Sequence, residues 1–282
     1  MALHRSFVVL LLLAVLYYPT PTVAQGQNIT VSYPVTVEFD LVFPRNDTYA
    51  PAPVFPVVFA VQNLPEAAVS SSLYLDWYLT RAQGEYLETG RVDFDRVNAS
   101  SNPYFVVGWT GKINSTESAD TYTLLWSFRH PNCSLGMFGS ATDFDSSEYQ
   151  DFITFTVAAG GKQPDFAADR DTCPTRHATF EQTGTLPAAG TTWNNYNSAR
   201  DVCGVLATSP PPANPCAAKI NDAAASSILA ELTTSACAHS PPALSSGCPP
   251  PTDTSVGTRA QVGRAGADLG LLLAGVTMLV QL

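Results

Sequence analysis

The chain has 282 residues, of which 14 are Lys or Arg and 24 are Asp or Glu, for a formal net charge of -10. Hydrophobic residues at 45% and aromatic residues at 10% supply a core, while charged residues at 13% fall to about half the ~25% of ordinary soluble domains, which excludes disorder throughout. The few basic residues are scattered along an acidic chain, which argues against nucleic acid, whose binders cluster Lys and Arg against phosphates.

At the N-terminus, His4 and Arg5 precede an apolar run from Phe7 to Leu16, and Thr22-Val23-Ala24 closes a Pro/Thr-rich stretch. This order of charge, apolar run and small residues is that of a secretory signal over residues 1–24, and the run is shorter than the ~20 residues that span a bilayer.

From Ile29 to Val157 the dominant pattern is alternation punctuated by Pro, Gly, Asn and Ser, the signature of strands. Val35, Val37, Phe39 and Leu41 alternate with Thr36, Glu38 and Asp40, predicting one buried and one mainly wet face. The run Val54 to Gln62 is almost wholly apolar, as in a strand covered on both sides. Leu73, Leu75, Trp77 and Leu79 alternate with Tyr74, Asp76 and Tyr78, and further strands are expected at Tyr86 to Phe94, Tyr104 to Thr110, Tyr122 to Phe128 and Phe152 to Val157. Seven such strands predict a mainly β fold over residues 25–158, an antiparallel sandwich of the immunoglobulin or fibronectin kind, with Trp77 and Trp126 as its central aromatics. Five N-glycosylation acceptors, Asn28, Asn46, Asn98, Asn114 and Asn132, all fall in this half. Asn132 is the weakest acceptor, because its middle residue is Cys133 and early disulfide formation would block access.

After Ala159-Gly160-Gly161 the alternation ends, and residues 159–237 read as a Cys-containing extension packed on the sandwich, since a separate core with so few large apolar residues would be marginal. Ile220, Ala224, Ile228, Leu229 and Leu232 have helical spacing with Asn221 or Asp222 as the cap, although Ser226 to Leu232 also reads as a strand. Six cysteines, Cys133, Cys173, Cys203, Cys216, Cys237 and Cys248, follow the signal, an even count that in an oxidising compartment implies three disulfides. A helix over all of residues 217–236 would hold Cys216 and Cys237 about 30 Å apart, against a limit of ~7 Å for a bridge. Either that helix is short or the two have other partners, and the second is favoured.

Residues 238–255, rich in Pro and Ser, form an extended stalk. The chain ends in fourteen residues without a charge, Leu269 to Leu282, enough for only about 21 Å of helix. Small residues at Ser255, Val256 and Gly257, a polar spacer and this tail make residues 256–282 a removable signal for a glycosylphosphatidylinositol (GPI) anchor on Ser255, with Gly257 and Asp253 as alternatives. A short membrane helix is the competing reading. Removing both ends takes away three basic residues and one acidic one and leaves a net charge of -12.

The segments Val35-Thr36-Val37-Glu38-Phe39-Asp40-Leu41-Val42-Phe43-Pro44-Arg45-Asn46 and Phe55-Pro56-Val57-Val58-Phe59-Ala60-Val61-Gln62-Asn63, with the later Asn214-Pro215-Cys216, resemble an uncharacterised family of fungal secreted proteins, a domain of unknown function. The resemblance spans most of residues 25–237. It implies a secreted, often wall-associated protein and brings no catalytic residues with it.

No GxSxG elbow, HExxH helix or glycine-rich phosphate loop occurs, and no cofactor is implied. His130, beside Pro131, reads as a surface loop residue, and His177 and His239 likewise lie outside any motif. Asp93/Asp95, Asp143/Asp145 and Asp169/Asp171 place two acids on one side of a strand, close enough to share a proton or a calcium ion, but solvated sheet edges explain them better. Exposed aromatics beside amides are the other chemistry in view: Trp193-Asn194-Asn195-Tyr196-Asn197 offers Trp193 and Tyr196 for sugar contact, and Trp109 with Tyr104 would be a second platform. The expectation is therefore a non-enzymatic glycoprotein held at the cell surface or cell wall by its GPI anchor, with cell-wall polysaccharide or surface proteins as partners. The alternative is a polysaccharide-binding or polysaccharide-active module.

Overall fold

The computed structural model describes residues 32–64, 73–82, 84–94, 97, 101–113, 119–135, 141–166, 172–187 and 202–238. The expected signal, the expected stalk beyond Ala238, the expected anchor site Ser255, and Cys248, Asn28, Asn98, Asn114, Trp193, Tyr196, Asp95, Asp169, Asp171 and His239 lie outside these residues. The strands are β1 (Val35–Phe43), β2 (Thr48–Tyr49), β3 (Phe55–Gln62), β4 (Tyr74–Arg81), β5 (Tyr86–Asp93), β6 (Tyr104–Thr110), β7 (Asp120–Leu135), β8 (Ala141–Val157), β9 (Arg176–Pro187) and β10 (Val202–Leu206). A 3-10 turn (Pro215–Ala218) and a helix, α1 (Asp222–Ala238), follow.

The first sheet has the order β10-β9-β1-β3-β6 and the second β2-β8-β7-β4-β5. All pairings are antiparallel except the short parallel contact of β2 with β8. Alternation turns one face of each sheet inward. Phe39 of the first sheet stacks on Phe128 of the second at 4.3 Å, Phe55 on Phe155 at 5.2 Å, and Phe59 meets Trp126 edge-on at 5.6 Å. Each such side chain contributes roughly 1.5–3 kcal/mol on leaving water, so this aromatic layer is the main stabilising contact between the sheets. Trp77 and Trp126, opposite each other on β4 and β7, are 1% and 0% exposed, as expected of the central aromatics. The Trp77 indole lies over Gly90 and Gly108, and a Cβ at Gly90 would collide with it.

All seven expected strands form, and β3 is buried at every residue, as its unbroken apolar run predicts. Two expectations are corrected. Residues 159–237 do not simply pack on a finished sandwich: β9 pairs with β1 inside the first sheet, and β10 extends that sheet beyond it. The strand signal in Arg176-His177-Ala178-Thr179-Phe180-Glu181-Gln182 is weak because only Ala178 and Phe180 are apolar, both turned to the core. The outer face of β1 is also not wet: Glu38 is 3% and Asp40 0% exposed. The chain after β10 covers it. Ala207 N–H donates to Glu181 O at 2.8 Å, Thr179 Oγ1 to Pro211 O at 2.8 Å, and Trp109 Nε1 to Ser235 Oγ of α1 at 3.1 Å.

The helix begins where its cap was expected, with Ala224 N–H donating to Asn221 Oδ1 at 2.8 Å. Cys133–Cys203 links β7 of one sheet to β10 of the other, and Cys173–Cys216 ties the approach to β9 to the 3-10 turn. Cys216 and Cys237 thus have other partners, as helix length requires; Cys237 is also disulfide-bonded.

Candidate functional site

The second sheet turns Leu75, Trp77, Leu79, Leu124, Trp126 and Phe128 inward, so the intervening residues form its outer face. Three residues in register across adjacent strands carry apolar groups there: Tyr78 of β4 opposes Leu125 of β7, which opposes Phe152 of β8. On neighbouring β5 the partner of Tyr78 is Thr89, and Tyr86, which pairs with Thr80, reaches from that flank to bring its ring 6.1 Å from that of Tyr78. Tyr86 is 56%, Leu125 37% and Phe152 54% exposed, whereas the inward aromatics are almost fully covered. A sheet side in water ordinarily holds polar residues, so a line of apolar side chains from β5 to β8 is the departure that marks this face.

Polar rows flank the line. On one side Asp76 opposes Ser127, which opposes Gln150; on the other Thr80 opposes Thr123, which opposes Thr154. Beyond Asp76, Tyr74 lies between two guanidinium groups, with Arg91 4.0 Å and Arg129 5.7 Å from its ring centre. The charges cancel locally: Arg91 faces Asp76 at 3.8 Å and Arg129 pairs with Glu148 at 3.1 Å. Burial pushes the Asp76 carboxyl up against the pull of both arginines, and the Glu148 carboxyl is held down by the Gln150 amide, with Arg129 adding to this. The face therefore offers stacking surface, hydroxyls and amides, with each of its two arginines facing a carboxylate and a further carboxylate, Asp93, at its end. That combination suits a neutral polyhydroxylated ligand better than an ionic one.

A second cluster lies on the first sheet. Gln62 Nε2 donates to Asp40 Oδ2 at 3.0 Å and to Asn214 O at 3.1 Å, and Asn214 N–H donates to Glu38 Oε2 at 2.7 Å. Glu38 and Asp40 stand two residues apart on this covered face of β1. Among the described residues no donor reaches Asp40 Oδ1 or Glu38 Oε1. Burial, and then the neighbouring Glu38, raise the Asp40 carboxyl to about 7 against the opposing Gln62 bond. Both acids are covered, so a substrate cannot reach them. Their role is to hold the segment around Asn214 onto β1 and β3.

The residues singled out in the sequence mostly do not converge. Trp109 is half-buried beneath α1, and Tyr104 is partly buried, its phenol pushed up by that burial. Asp93 sits opposite Tyr74 at the end of β5, and Asp143 and Asp145 oppose Ser134 and Asn132 on β7. His130 is not a surface loop residue: it lies in β7, 0% exposed, with its ring 4.4 Å from that of Phe180. Asn46 is exposed in the turn after β1, whereas Asn132 is half-buried with Oδ1 accepting from Leu206 N–H at 3.0 Å. Among the described residues no group of three or more His, Cys, Asp and Glu is placed to hold a metal ion. An apolar recess of about 320 Å3 between the start of β3 and α1, lined by Val54, Pro56, Phe166 and Leu232 among others, brings no charged group to its walls.

The line Tyr86, Tyr78, Leu125, Phe152 was missed although its signal is present. Each of Tyr78, Leu125 and Phe152 is an apolar residue in the solvent phase of an alternating strand. Only the register of β4, β7 and β8 shows that the three meet.

A family described as a domain of unknown function, DUF7136, matches residues 32–246, and the chain belongs to it. No curated protein and no solved structure matches.

Proposed function

We propose that this protein binds neutral polysaccharide without cleaving it, through the outer face of the second sheet, and that it does so as a secreted protein tethered at the cell surface or wall. The observation that carries this reading is the exposed apolar line on β4, β7 and β8, with the Tyr86 ring beside it, bordered by hydroxyl and amide side chains, with two arginine–carboxylate pairs on one flank. Sugar recognition needs those parts: C–H faces of a pyranose ring pack on aromatic rings, and its hydroxyls exchange hydrogen bonds with short polar side chains. Of the two readings the sequence supports, a structural surface glycoprotein and a polysaccharide-binding module, this face favours the second.

The rest of the proposal rests on the sequence. Residues 1–24 direct secretion, Ser255 receives the lipid, glycans occupy Asn28, Asn46, Asn98 and Asn114, and the resemblance to fungal wall-associated proteins supplies the setting. Retention on insoluble β-glucan, cellulose and chitin tests the binding. The wild-type protein is expected to be retained on at least one of them, and a Tyr86→Ala, Phe152→Ala double variant to wash through. Equal retention of both would move the site elsewhere, and Trp193→Ala then tests the Trp193-Asn194-Asn195-Tyr196 sequence. Mass spectrometry of the mature C-terminus checks the tether: it should end near residue 255, and an intact Leu282 would refute the anchor.

A further inference from the structure

We infer that the ligand is a single extended β-1,4-linked chain lying across the strands of the second sheet, with one sugar residue over each of β5, β4, β7 and β8. The inference rests on the polysaccharide reading and adds linkage and direction to it. The line Tyr78, Leu125, Phe152 follows the hydrogen-bonding direction of the sheet, because each residue is the registered partner of the next. Strands in a sheet rotate about that direction by roughly 20–25° each, so a row along it stays straight while the surface on either side turns away. A straight row between receding flanks fits one linear chain and fits poorly a broad crystalline surface that presents many parallel chains.

Spacing selects the linkage. Neighbouring strands lie ~4.8 Å apart, close to the advance of one pyranose along a fully extended β-1,4-linked chain. The registered row spans the two intervals from β4 to β8, about 10 Å, enough for three sugar residues, and Tyr86, paired with Thr80 rather than Tyr78, meets a fourth beside the end of the row. In such a chain alternate residues are turned over, but with equatorial substituents both ring faces present C–H groups, so each strand meets a stackable face. A β-1,3-linked chain curves and an α-1,4-linked chain coils, and neither keeps this pitch along a straight line. Thr123 and Thr154 on one flank, with Gln150 on the other, lie within reach of the hydroxyls that project sideways.

Calorimetric titration of the full-length secreted protein with β-1,4-linked oligosaccharides of glucose, mannose and N-acetylglucosamine, from two to six residues, tests this against β-1,3-linked glucose oligosaccharides of equal length. Affinity for at least one β-1,4 series should rise to the tetrasaccharide and then level off, with the β-1,3 series at least tenfold weaker. Tyr86→Ala and Phe152→Ala should each weaken binding roughly tenfold, and Phe152→Tyr should preserve it, since stacking survives that change. Equal or better binding of the β-1,3 series, or affinity still climbing at the hexasaccharide, would overturn the inference and leave the polysaccharide reading standing. Retention on insoluble polysaccharide with no response to any soluble chain would overturn it in favour of a crystalline surface. No binding to any glycan, soluble or insoluble, would remove both.

Discussion

Asp40 shows how a residue's surroundings set its chemistry. Its sequence neighbours predict a wet face, yet it is buried beside Glu38 and its carboxyl titrates near 7 in place of the usual 3.8. In the unfolded chain the same group is ionised above about pH 4, so between that pH and about 7 the folded protein holds the extra proton. The stability this proton confers is complete below the unfolded value and is lost as pH rises through the folded one. Thermal unfolding should therefore show a melting temperature that falls from pH 4 to pH 7, by an amount corresponding to roughly 2–4 kcal/mol. Asp40→Asn, which keeps the shape without the charge, should flatten that slope and raise stability at pH 7. A wild-type profile that rises over this range would contradict the assigned proton.

Among the elements, the segment from Asn214 through α1 shows the most about how the fold is held. It is not an independent unit: the 3-10 turn and the helix owe their place to Glu38, Gln62 and Trp109 on the sheet beneath and to Cys173–Cys216. The bridge spans 43 residues of sequence and Cys133–Cys203 spans 70, loops for which closure entropy gives about 4 kcal/mol each. Replacing both Cys173 and Cys216 by Ala should lower stability by roughly 2–4 kcal/mol and increase proteolytic cleavage around residue 214 ahead of global unfolding. Cleavage confined to the loops of the second sheet would show that the segment is held by packing alone. The Glu38–Asp40 pair would then be the stronger fastening.

At the scale of the whole molecule, the described residues from 32 to 238 form one compact unit in which early and late strands share the first sheet. β1 lies between β3 and β9, so the sheet closes only after some 140 residues have been made. A chain ending at residue 158 retains seven of the strands visible in the sequence but exposes the edge of β1 and uncovers Phe39 and Phe128, on which Phe180 packs. It should fail to give a cooperative unfolding transition and should aggregate through the open edge. Extension to residue 238 should restore both solubility and cooperativity. A folded, monomeric 25–158 fragment would mean that the sandwich is complete without β9 and β10.

Local pattern was sufficient for much of this architecture. Alternation placed seven strands and put Trp77 and Trp126 at the centre, because a sheet with one dry face imposes a two-residue period. The unbroken apolar run of β3 announced a strand covered on both sides, and helix geometry favoured other partners for Cys216 and Cys237, of which Cys216 pairs with Cys173. What covered the outer face of β1 could not be read, since nothing in Glu38 or Asp40 records that a segment more than 170 residues later in the chain lies over them. β9 was missed for a related reason: an edge-to-edge pairing with β1 rescues a strand whose own composition is mostly polar. The candidate site depends most on tertiary structure. Tyr78, Leu125 and Phe152 are each unremarkable in sequence, and they become one surface because β4, β7 and β8 pair in a register set by the hydrophobic residues on the opposite face.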